Sequence, residues 1–597
     1  MQARSTSARS FCTAASPQSP SSTGLDSAPS SSAPSLPVRS CDAASDRSLL
    51  DQYRSTSLDS RLRESQLQGG AFVAETRKFG AVTYREIGLD YFDKRRLRRH
   101  AGVWSLWALG VAAVISGDFS GWNFGLDAGG FGGLLVATIV ITVMYFGLCF
   151  SIAEMSPALP HTGGAYSFGR SAMGPWGGFT TGVAETIEYV VTPAVIVTFI
   201  GSYMQTIFDD LFGVSIAQPW WWLIFYLIFL ALNLVGVEMA FRFTVVICFL
   251  ALGVLAVFFV GALTEFNFSR WALNIAPEGD NSKWFPLGWD GVFLALPFAI
   301  WFYLAIEELP LAAEESHDPR RDIPRGTIYG LLTLVVTAFL VLFLNTGIAP
   351  GAEGIRTSGE PLLDGLKTIF GSETSASLLG LIAVAGLVAS FHTIIYAYGR
   401  NMYSLSRAGY YPHWMSVTHG TRNTPYVALV LGAVVGYGLA FLLYEAGKNE
   451  WLGGNLSAAL LSMAVFGAVI SYFMQMVSFV LLRRRFPRIA RPYRSPVGEW
   501  GAVVAGVIAL ISLAALFSRD DYRPGVVGVA IFYVVAVAYF AIAGRHKLVL
   551  SPEEEFAMTR GEHGHPETEG YGQTRVEDVA GRRAVPPQPP PERAGSS

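Results

Sequence analysis

An apolar run over residues 134–152 breaks into Glu154-Met-Ser-Pro-Ala-Leu-Pro-His-Thr-Gly-Gly-Ala-Tyr-Ser-Phe168, and Gly174-Pro-Trp-Gly-Gly-Phe179 then opens a second apolar run. The two prolines of the first motif cannot continue a helix, and its Gly163-Gly164 pair permits a tight turn. The piece over 166–173 is amphipathic and is expected to lie at a membrane surface before the next helix starts. The stretch therefore predicts two membrane-crossing helices joined by a short, tightly specified connection.

Composition places the whole chain in the membrane class. Hydrophobic residues make up 51% of the 597 positions, charged residues only 15%, and the formal net charge is −3. This balance gives no basic surface for nucleic acid. The four cysteines and nine histidines form neither a disulfide framework nor a metal-ligand spacing, so we expect no metal and no cofactor. A membrane enzyme is disfavoured, because no nucleophile–His–acid set or phosphate-binding glycine loop is visible.

Twelve apolar runs are long enough to cross a bilayer, since each crossing needs about 20 residues. They lie near 102–126, 131–153, 176–207, 218–237, 241–264, 289–309, 326–347, 376–403, 424–445, 455–482, 499–518 and 523–544. The sequence thus divides into a disordered Ser/Pro-rich tail over 1–80, a transmembrane domain over 81–550 and a polar tail over 551–597. Basic residues alternate between loops in a pattern that predicts both termini in the cytosol, with the plasma membrane as the default location. The amino terminus also has a faint likeness to an organellar transit peptide, and a solvated tail is the favoured interpretation.

Two of these spans carry features that a plain membrane anchor does not need. The first contains Gly110-Val-Ala-Ala-Val-Ile-Ser-Gly-Asp-Phe-Ser-Gly-Trp-Asn-Phe-Gly125, and the sixth contains Pro297-Phe-Ala-Ile-Trp-Phe-Tyr-Leu-Ala-Ile-Glu-Glu-Leu-Pro310. Each holds carboxylates at depth among glycines or between prolines. Because interrupted spans at matching positions of two halves mark the site of an inverted-repeat transporter, the five-helix offset between them predicts such a site.

Several motifs in order resemble the amino acid–polyamine–organocation permeases, and most closely the ethanolamine permease branch. They are the first-span break, the 153–166 and 184–193 motifs, Ala313-Glu-Glu-Ser-His-Asp-Pro-Arg-Arg-Asp-Ile-Pro-Arg-Gly326, the 399–412 motif, Arg491-Pro-Tyr-Arg-Ser-Pro496 and Leu550-Ser-Pro-Glu-Glu-Glu-Phe556. The resemblance implies an all-α membrane fold of about twelve helices, with a leucine-transporter-type 5+5 inverted repeat followed by two further helices. It also implies secondary active transport by alternating access, with no chemical change to the cargo.

The candidate substrate site lies at the two breaks. Its predicted members are Ser116, Gly117, Asp118, Gly121, Trp122, Trp301, Phe302 and Glu307. A charged side chain in a span costs roughly 2.5–3.5 kcal/mol, which a primary ammonium paired with Asp118 would partly recover. Aromatic faces would hold the same cation. An amino acid site would instead use bare backbone amides for the substrate carboxylate, so the acidic break favours an amine such as ethanolamine.

Coupling and gating candidates complete the set. Glu185 and Glu188 share one face of the third span, and the unperturbed pKa of a histidine, about 6.5, suits His392 to carry a proton, so all three are candidate proton carriers. Some members of the resembled family carry a lysine in span five in place of sodium, and span five here has none. A proton is favoured over sodium as the coupling ion, and exchange of substrates stays open. Candidates for a cytosolic gate are Glu314, Glu315, Arg320 and Arg321.

Three functions remain open from the sequence. The first is a transporter of small amines, above all ethanolamine, and the second is a permease for amino acids or polyamines. The third is a nutrient receptor that keeps the fold and signals through its long amino-terminal tail. A transport-dead receptor is expected to lose the glycine-rich break of the first span, which is intact here.

Overall fold

A computed structural model of the chain describes residues 76–85, 90–93, 95, 97, 101–159, 161–371, 373–420, 422–448, 455–487 and 489–564. The predicted disordered tail over 1–80 lies outside this range except for its last five residues, and so does the end of the polar tail from residue 565. The division of the chain into a membrane domain and two tails stays a prediction. The described residues from 76 onward belong to one compact unit.

Helices dominate the structure. They are α1 (Asp90–Asp93), α2 (Val103–Val114), α3 (Ser116–Phe119), α4 (Phe124–Ala158), α5 (Gly164–Met173), α6 (Pro175–Phe212), α7 (Gln218–Val235), α8 (Val237–Glu265), α9 (Phe268–Trp271), α10 (Asp290–Ile300), α11 (Pro319–Thr346), α12 (Gly351–Ile355), α13 (Pro361–Phe370), α14 (Glu373–Arg407), α15 (Tyr426–Gly447), α16 (Leu456–Arg485), α17 (Gly498–Leu516), α18 (Arg523–Ile542) and α19 (Pro552–Thr559). Three 3₁₀ helices cover Ile306–Glu315, His413–Ser416 and Gly544–His546.

Among the described residues, ten helices are long and apolar enough to cross a membrane, and two shorter apolar helices occupy the first and sixth predicted spans. Helices α2 and α3 together occupy the first span, and α10 occupies the sixth. Both segments are short because these spans are interrupted. The predicted all-α membrane architecture is confirmed. The centre of the bundle is formed by α6 and α14, whose apolar stretches are 94% and 78% buried, whereas α18 is only 17% buried and lies at the periphery.

Glycine and proline lie at the joints between helices, both inside the opening motif and before it. Helix α4 bends at Gly130, whose φ of 67° is accessible to glycine at little cost. The end of the first predicted span and the second span therefore form one kinked helix, without a loop between them. Helix α5 is the predicted amphipathic connection, and its residues 164–172 are buried. Gly174, with φ 82°, then separates α5 from α6, which starts at Pro175.

Both ends of the described chain meet on one side of the bundle, here called the tail side and formed by residues 76–85, 90–93, 95 and 544–564. There β1 (Thr76–Phe79) pairs antiparallel with β2 (Val82–Arg85), and β2 pairs parallel with β3 (Leu548–Val549). Helix α19 follows β3 and is buried over residues 552–558. Packed structure therefore extends past residue 551, where the sequence suggested that a polar tail begins, because buried charges elsewhere partner the acidic residues of α19. The other side, with residues 266–289 and 347–371, is called the far side.

Candidate substrate and proton site

The first span is unwound between α3 and α4. Ser120 is extended, with φ −160° and ψ 158°, and Gly121 follows with φ 97°, a conformation that favours glycine. The carbonyl oxygen of Ser120 accepts a hydrogen bond of 3.0 Å from Nε1 of Trp301, and the Gly121 amide donates to Oδ1 of Asn123 at 3.0 Å. The freed backbone groups thus have partners inside the protein, as an interruption within a membrane span requires.

The sixth span is interrupted directly opposite. Helix α10 ends at Ile300, Ala305 adopts φ 85°, and the chain resumes as the 3₁₀ helix over Ile306–Glu315. A Cβ atom on Gly117 would overlap the carbonyl oxygen of Trp301, so the two breaks touch backbone to backbone. A positive φ at a residue other than glycine is costly and tends to persist at functional sites. The structure thus brings together the two breaks that the sequence singled out.

Aromatic residues of the two breaks pack on each other. Trp122 stacks on Phe302 with ring centroids 5.6 Å apart and an interplanar angle of 24°. Trp301 lies edge-on to Phe199 of α6 at 6.3 Å while its indole nitrogen binds Ser120. Of the predicted contacts, Ser116 uses its backbone amide to bind Oγ of Ser390 at 2.9 Å. Whether these rings hold a cation stays a prediction.

Asp118 is the most unusual residue of the first break. Its side chain is buried, with 1% of its surface exposed, and no group of the described protein donates a hydrogen bond to either carboxylate oxygen. Thr337 of α11 and Tyr303 of the sixth-span break are its polar neighbours. Leaving an ionised carboxylate buried without a partner is strongly unfavourable, so the position demands a proton or a cationic partner during function.

Four glutamates form a separate cluster at the sixth-span break. Glu185 and Glu188 come from α6, and Glu307 and Glu308 come from the start of the 3₁₀ helix; all four are buried. Glu185, Glu188 and Glu308 each interact electrostatically with Glu307, so the four carboxyl groups form one cluster. In the described part of the chain, no lysine or arginine forms an ion pair with these four residues.

Hydrogen-bond donors surround part of this cluster, and sequence reasoning missed them. Tyr472 of α16 donates to Glu188 at 3.1 Å and accepts from Tyr145 of α4 at 3.0 Å. Asn401 of α14 donates to Glu185 at 3.0 Å. Tyr145 and Tyr472 are common residues in apolar helices, and Asn401 lies in the 399–412 motif without a carboxylate next to it in sequence. Only their positions at the buried carboxylates reveal a role.

His392, a predicted proton carrier, contacts different residues. Its Nδ1 lies 2.9 Å from the side-chain nitrogen Nδ2 of Asn233, and its Nε2 lies 3.4 Å from the carbonyl oxygen of Ala240. The rings of Phe229 and Phe243 pack against it. These contacts belong to α7 and α8 and give His392 a packing role. They add nothing to the prediction that it carries a proton.

A layer of ion pairs separates the carboxyl cluster from the tail side. Glu315 binds Arg400 at 2.8 Å and also accepts a hydrogen bond from Tyr396. Glu314 binds Arg407 at 2.7 Å. All five residues are buried.

The predicted gate residues divide into two groups. Glu314 and Glu315 are part of this layer, whereas Arg320 and Arg321 are exposed at the start of α11. Arg400 and Arg407 of α14 pair with Glu315 and Glu314, and each lies more than 80 positions from its partner in sequence. A gating role for Arg320 and Arg321 stays a prediction.

On the far side, side chains of the first-span break donate hydrogen bonds to backbone carbonyls of a loop, and Arg356 of the same loop pairs with Asp127 of α4 at 3.5 Å. Asn123 donates from Nδ2 to the carbonyl oxygens of Ile355 and Ser358, at 2.6 and 2.9 Å. Ser120 donates from Oγ to the carbonyl oxygen of Gly359 at 2.9 Å. The loop over 355–359 therefore sits on the first-span break, and the carboxylates are out of solvent contact from both sides.

With this geometry, comparison with known proteins is decisive at the family level. The profile of the "Amino acid permease" family matches residues 106–549. The chain belongs to the amino acid permease family. This permease is an integral, multi-pass membrane transporter and not an enzyme.

Curated relatives span most of the chain. An uncharacterized transporter of Rhizobium meliloti (strain 1021) is 29% identical over 76% of this permease and 94% of its own length. A methylthioribose transporter of Bacillus subtilis (strain 168) is 24% identical over 76% and 95%, and the branched-chain amino acid permease BcaP of the same organism is 23% identical over 71% and 87%. These comparisons support the permease family, without evidence for the ethanolamine branch in particular.

Proposed function

We propose that this permease is a secondary active transporter of small organic amines, with ethanolamine as the first candidate, and that it works by alternating access. The observation that carries the proposal is the excess of buried acid at the two breaks. Asp118 of the first-span break has no hydrogen-bond partner, and the four glutamates at the sixth-span break form no ion pair among the described residues. A cationic substrate supplies the missing positive charge.

The charge balance argues against a substrate whose carboxylate must sit beside Asp118. Two like charges about 4 Å apart repel by about 4 kcal/mol at an effective dielectric constant of about 20. Ethanolamine carries an ammonium and a hydroxyl but no carboxylate, so it avoids this cost. In this proposal Asp118 pairs with the ammonium, and the Trp122–Phe302 stack forms the wall beside it.

An amino acid substrate is the competing proposal, and the substrates for which several relatives are named favour it. Branched-chain amino acid and histidine permeases are among the relatives at 23–24% identity. Such a substrate would place its carboxylate at backbone amides of the breaks and its ammonium at Asp118. The two proposals differ in one property, which is whether a carboxylate on the substrate is tolerated.

Competition experiments with wild-type permease separate the two. Labelled ethanolamine uptake is measured in cells lacking their own carrier, with unlabelled ethanolamine, glycine, isoleucine or ethylene glycol in excess. The amine proposal predicts inhibition by ethanolamine alone, because glycine and isoleucine add a carboxylate and ethylene glycol lacks the ammonium. Strong inhibition by the amino acids, or saturable uptake of labelled amino acid with none of ethanolamine, would establish the competing proposal.

Protons are the proposed coupling ion, carried by the glutamate cluster. Glu188 and Glu307 interact electrostatically as like charges, so a proton bound to either one relieves their repulsion. Replacing sodium by potassium is expected to leave uptake unchanged, and collapsing the proton gradient is expected to abolish accumulation. Glu188→Gln should equilibrate substrate without concentrating it. Sodium-dependent accumulation that survives a protonophore would contradict proton coupling.

The proposed location is the plasma membrane with both termini in the cytosol, which makes the tail side the cytosolic side. The basic loops support this orientation through the positive-inside rule. Cysteine scanning of exposed loops checks it: Asp280→Cys on the far side should react with a membrane-impermeant maleimide in intact cells, and Glu562→Cys on the tail side should not.

A further inference from the structure

The tail side holds a second set of buried charges that the transport site does not use. Glu553 and Glu554, in the first turn of α19, are both 0% exposed. Glu553 binds Arg407 at 2.5 Å and accepts a hydrogen bond from Ser404 at 3.0 Å. Since Arg407 also binds Glu314, one guanidinium joins α14, the 3₁₀ helix of the sixth span and α19.

Glu554 makes an equally extensive set of contacts. It binds Nε of Arg170 at 2.6 Å and accepts hydrogen bonds from Tyr84 at 2.6 Å and Tyr410 at 2.7 Å. Tyr166 adds a weaker contact at 3.3 Å. These partners come from β2, the connecting helix α5 and the segment after α14. The carboxylate therefore fixes α19 to three elements that lie at the ends of the spans.

Backbone contacts extend the attachment on either side of α19. The Val549 amide donates to the carbonyl oxygen of Ala408 at 2.9 Å, next to the pairing of β2 with β3. After the helix, the carbonyl oxygen of Gly564 lies 2.7 Å from Nε2 of His161, which belongs to the connection before α5. Residues 548–564 thus lie across the ends of α4, α5 and α14 as one continuous cover.

We propose that residues 548–564 act as a latch that holds the tail side closed, and that Glu553 must release Arg407 before this side opens. The reason is mechanical. The 3₁₀ helix runs from the sixth-span break to Glu315, and Arg407 joins Glu314, at the end of that helix, to Glu553 of the latch. Any opening of the tail side that moves this helix away from α19 has to break a buried, charge-assisted contact. The inference rests on the alternating access proposed above but not on the identity of the substrate.

Hydrogen exchange of the full-length permease, purified and without substrate, tests the latch. Glu553→Gln keeps the side-chain shape and removes the charge that binds Arg407. Amides over 306–315 are expected to exchange about tenfold faster or more, the factor appropriate to one lost charge-assisted hydrogen bond. Glu562→Gln is the matched control, because Glu562 lies in the same segment with an exposed side chain, and it should leave these rates unchanged.

The proposal has a clear contrary outcome. Faster exchange confined to 548–564, with 306–315 unchanged, would show that the segment is a local cover with no hold on the sixth span. If Glu553→Gln fails to fold, Ser404→Ala removes only the hydrogen bond between Ser404 and Glu553 and should give a smaller acceleration at 306–315. No acceleration there would also overturn the latch. Because no substrate is present, these outcomes are independent of whether ethanolamine is carried.

Discussion

The pair formed by Glu315 and Arg400 is the contact most open to a quantitative test. The two side chains are 0% and 1% exposed, and Arg400 Nη2 lies 2.8 Å from Glu315 Oε1. Tyr396 donates a further hydrogen bond to the same carboxylate, and its ring lies 3.9 Å from the guanidinium carbon. We predict that Arg400→Gln or Glu315→Gln alone destabilises the permease strongly, whereas the double variant recovers most of the loss.

The size of the effect follows from burial. Removing one member of a buried ion pair costs about 3–5 kcal/mol, because an uncompensated charge stays in a region of low dielectric constant. Unfolding entropies of about 2.1 cal/mol/K per residue give about 1 °C of melting temperature per kcal/mol for several hundred ordered residues. Each single variant should therefore melt about 3–5 °C lower. The double variant, which has neither charge, should lie within about 1–2 °C of wild type.

The assay is the apparent melting temperature of detergent-purified protein, followed by loss of the monodisperse peak in size-exclusion chromatography. Arg484→Gln is the matched control, because Arg484 pairs with Glu499 at an exposed position and such pairs contribute about 0–1 kcal/mol. Losses that simply add in the double variant would refute the reasoning, since they would mean that the two charges do not compensate each other.

Three further predictions concern the breaks and the far side. Gly117→Ala should abolish transport without loss of expression, because its Cβ would overlap the carbonyl oxygen of Trp301. Gly438→Ala is the control and should be neutral, since open space surrounds that position. Transport by Gly117→Ala at the wild-type rate would refute the close contact. Asn123→Ala should lower the rate of transport about tenfold or more, since carbonyls of the 355–359 loop lose their donor; unchanged initial rates would contradict a sealing role. Burial raises the pKa of Asp364 to about 6 from its ordinary 3.8, so its ionised form costs stability above pH 6 and this cost disappears as the pH falls toward 4. The wild-type melting temperature should thus rise between pH 7 and pH 5 more than that of Asp364→Asn, and equal slopes would contradict this assignment.

The spans were predictable because each is a long apolar run, and a chain must satisfy its backbone within a bilayer by forming helices. The two breaks were predictable for a related reason: carboxylates, glycines and prolines are expensive in the middle of a span. Gly117, Asp118 and Glu307 therefore stand out in the sequence, and the structure brings the two breaks into contact.

The partners of these residues were not predictable. In the sequence, Arg400 and Arg407 are basic residues at the end of a predicted span. No residue next to them in sequence indicates that they bind Glu315 and Glu314. Glu553 belongs to a polar stretch whose composition is that of a solvated tail, and it is buried only because Arg407 meets it 146 positions away in sequence. Pairing between charges so far apart in sequence is determined by the fold, and it cannot be predicted from a local sequence pattern.

Uptake of labelled ethanolamine by Asp118→Asn tests the central claim most directly, because the variant keeps the shape of the side chain and removes its charge. It is compared with wild type and with Asp209→Asn, a matched change at an exposed position outside the site, with surface expression measured for all three. The amine site predicts saturable uptake in wild type and Asp209→Asn and a loss of about tenfold or more in Asp118→Asn, since a hydrogen bond to a charged group is worth about 1.5–3 kcal/mol. Full uptake by Asp118→Asn at normal surface levels would contradict the account.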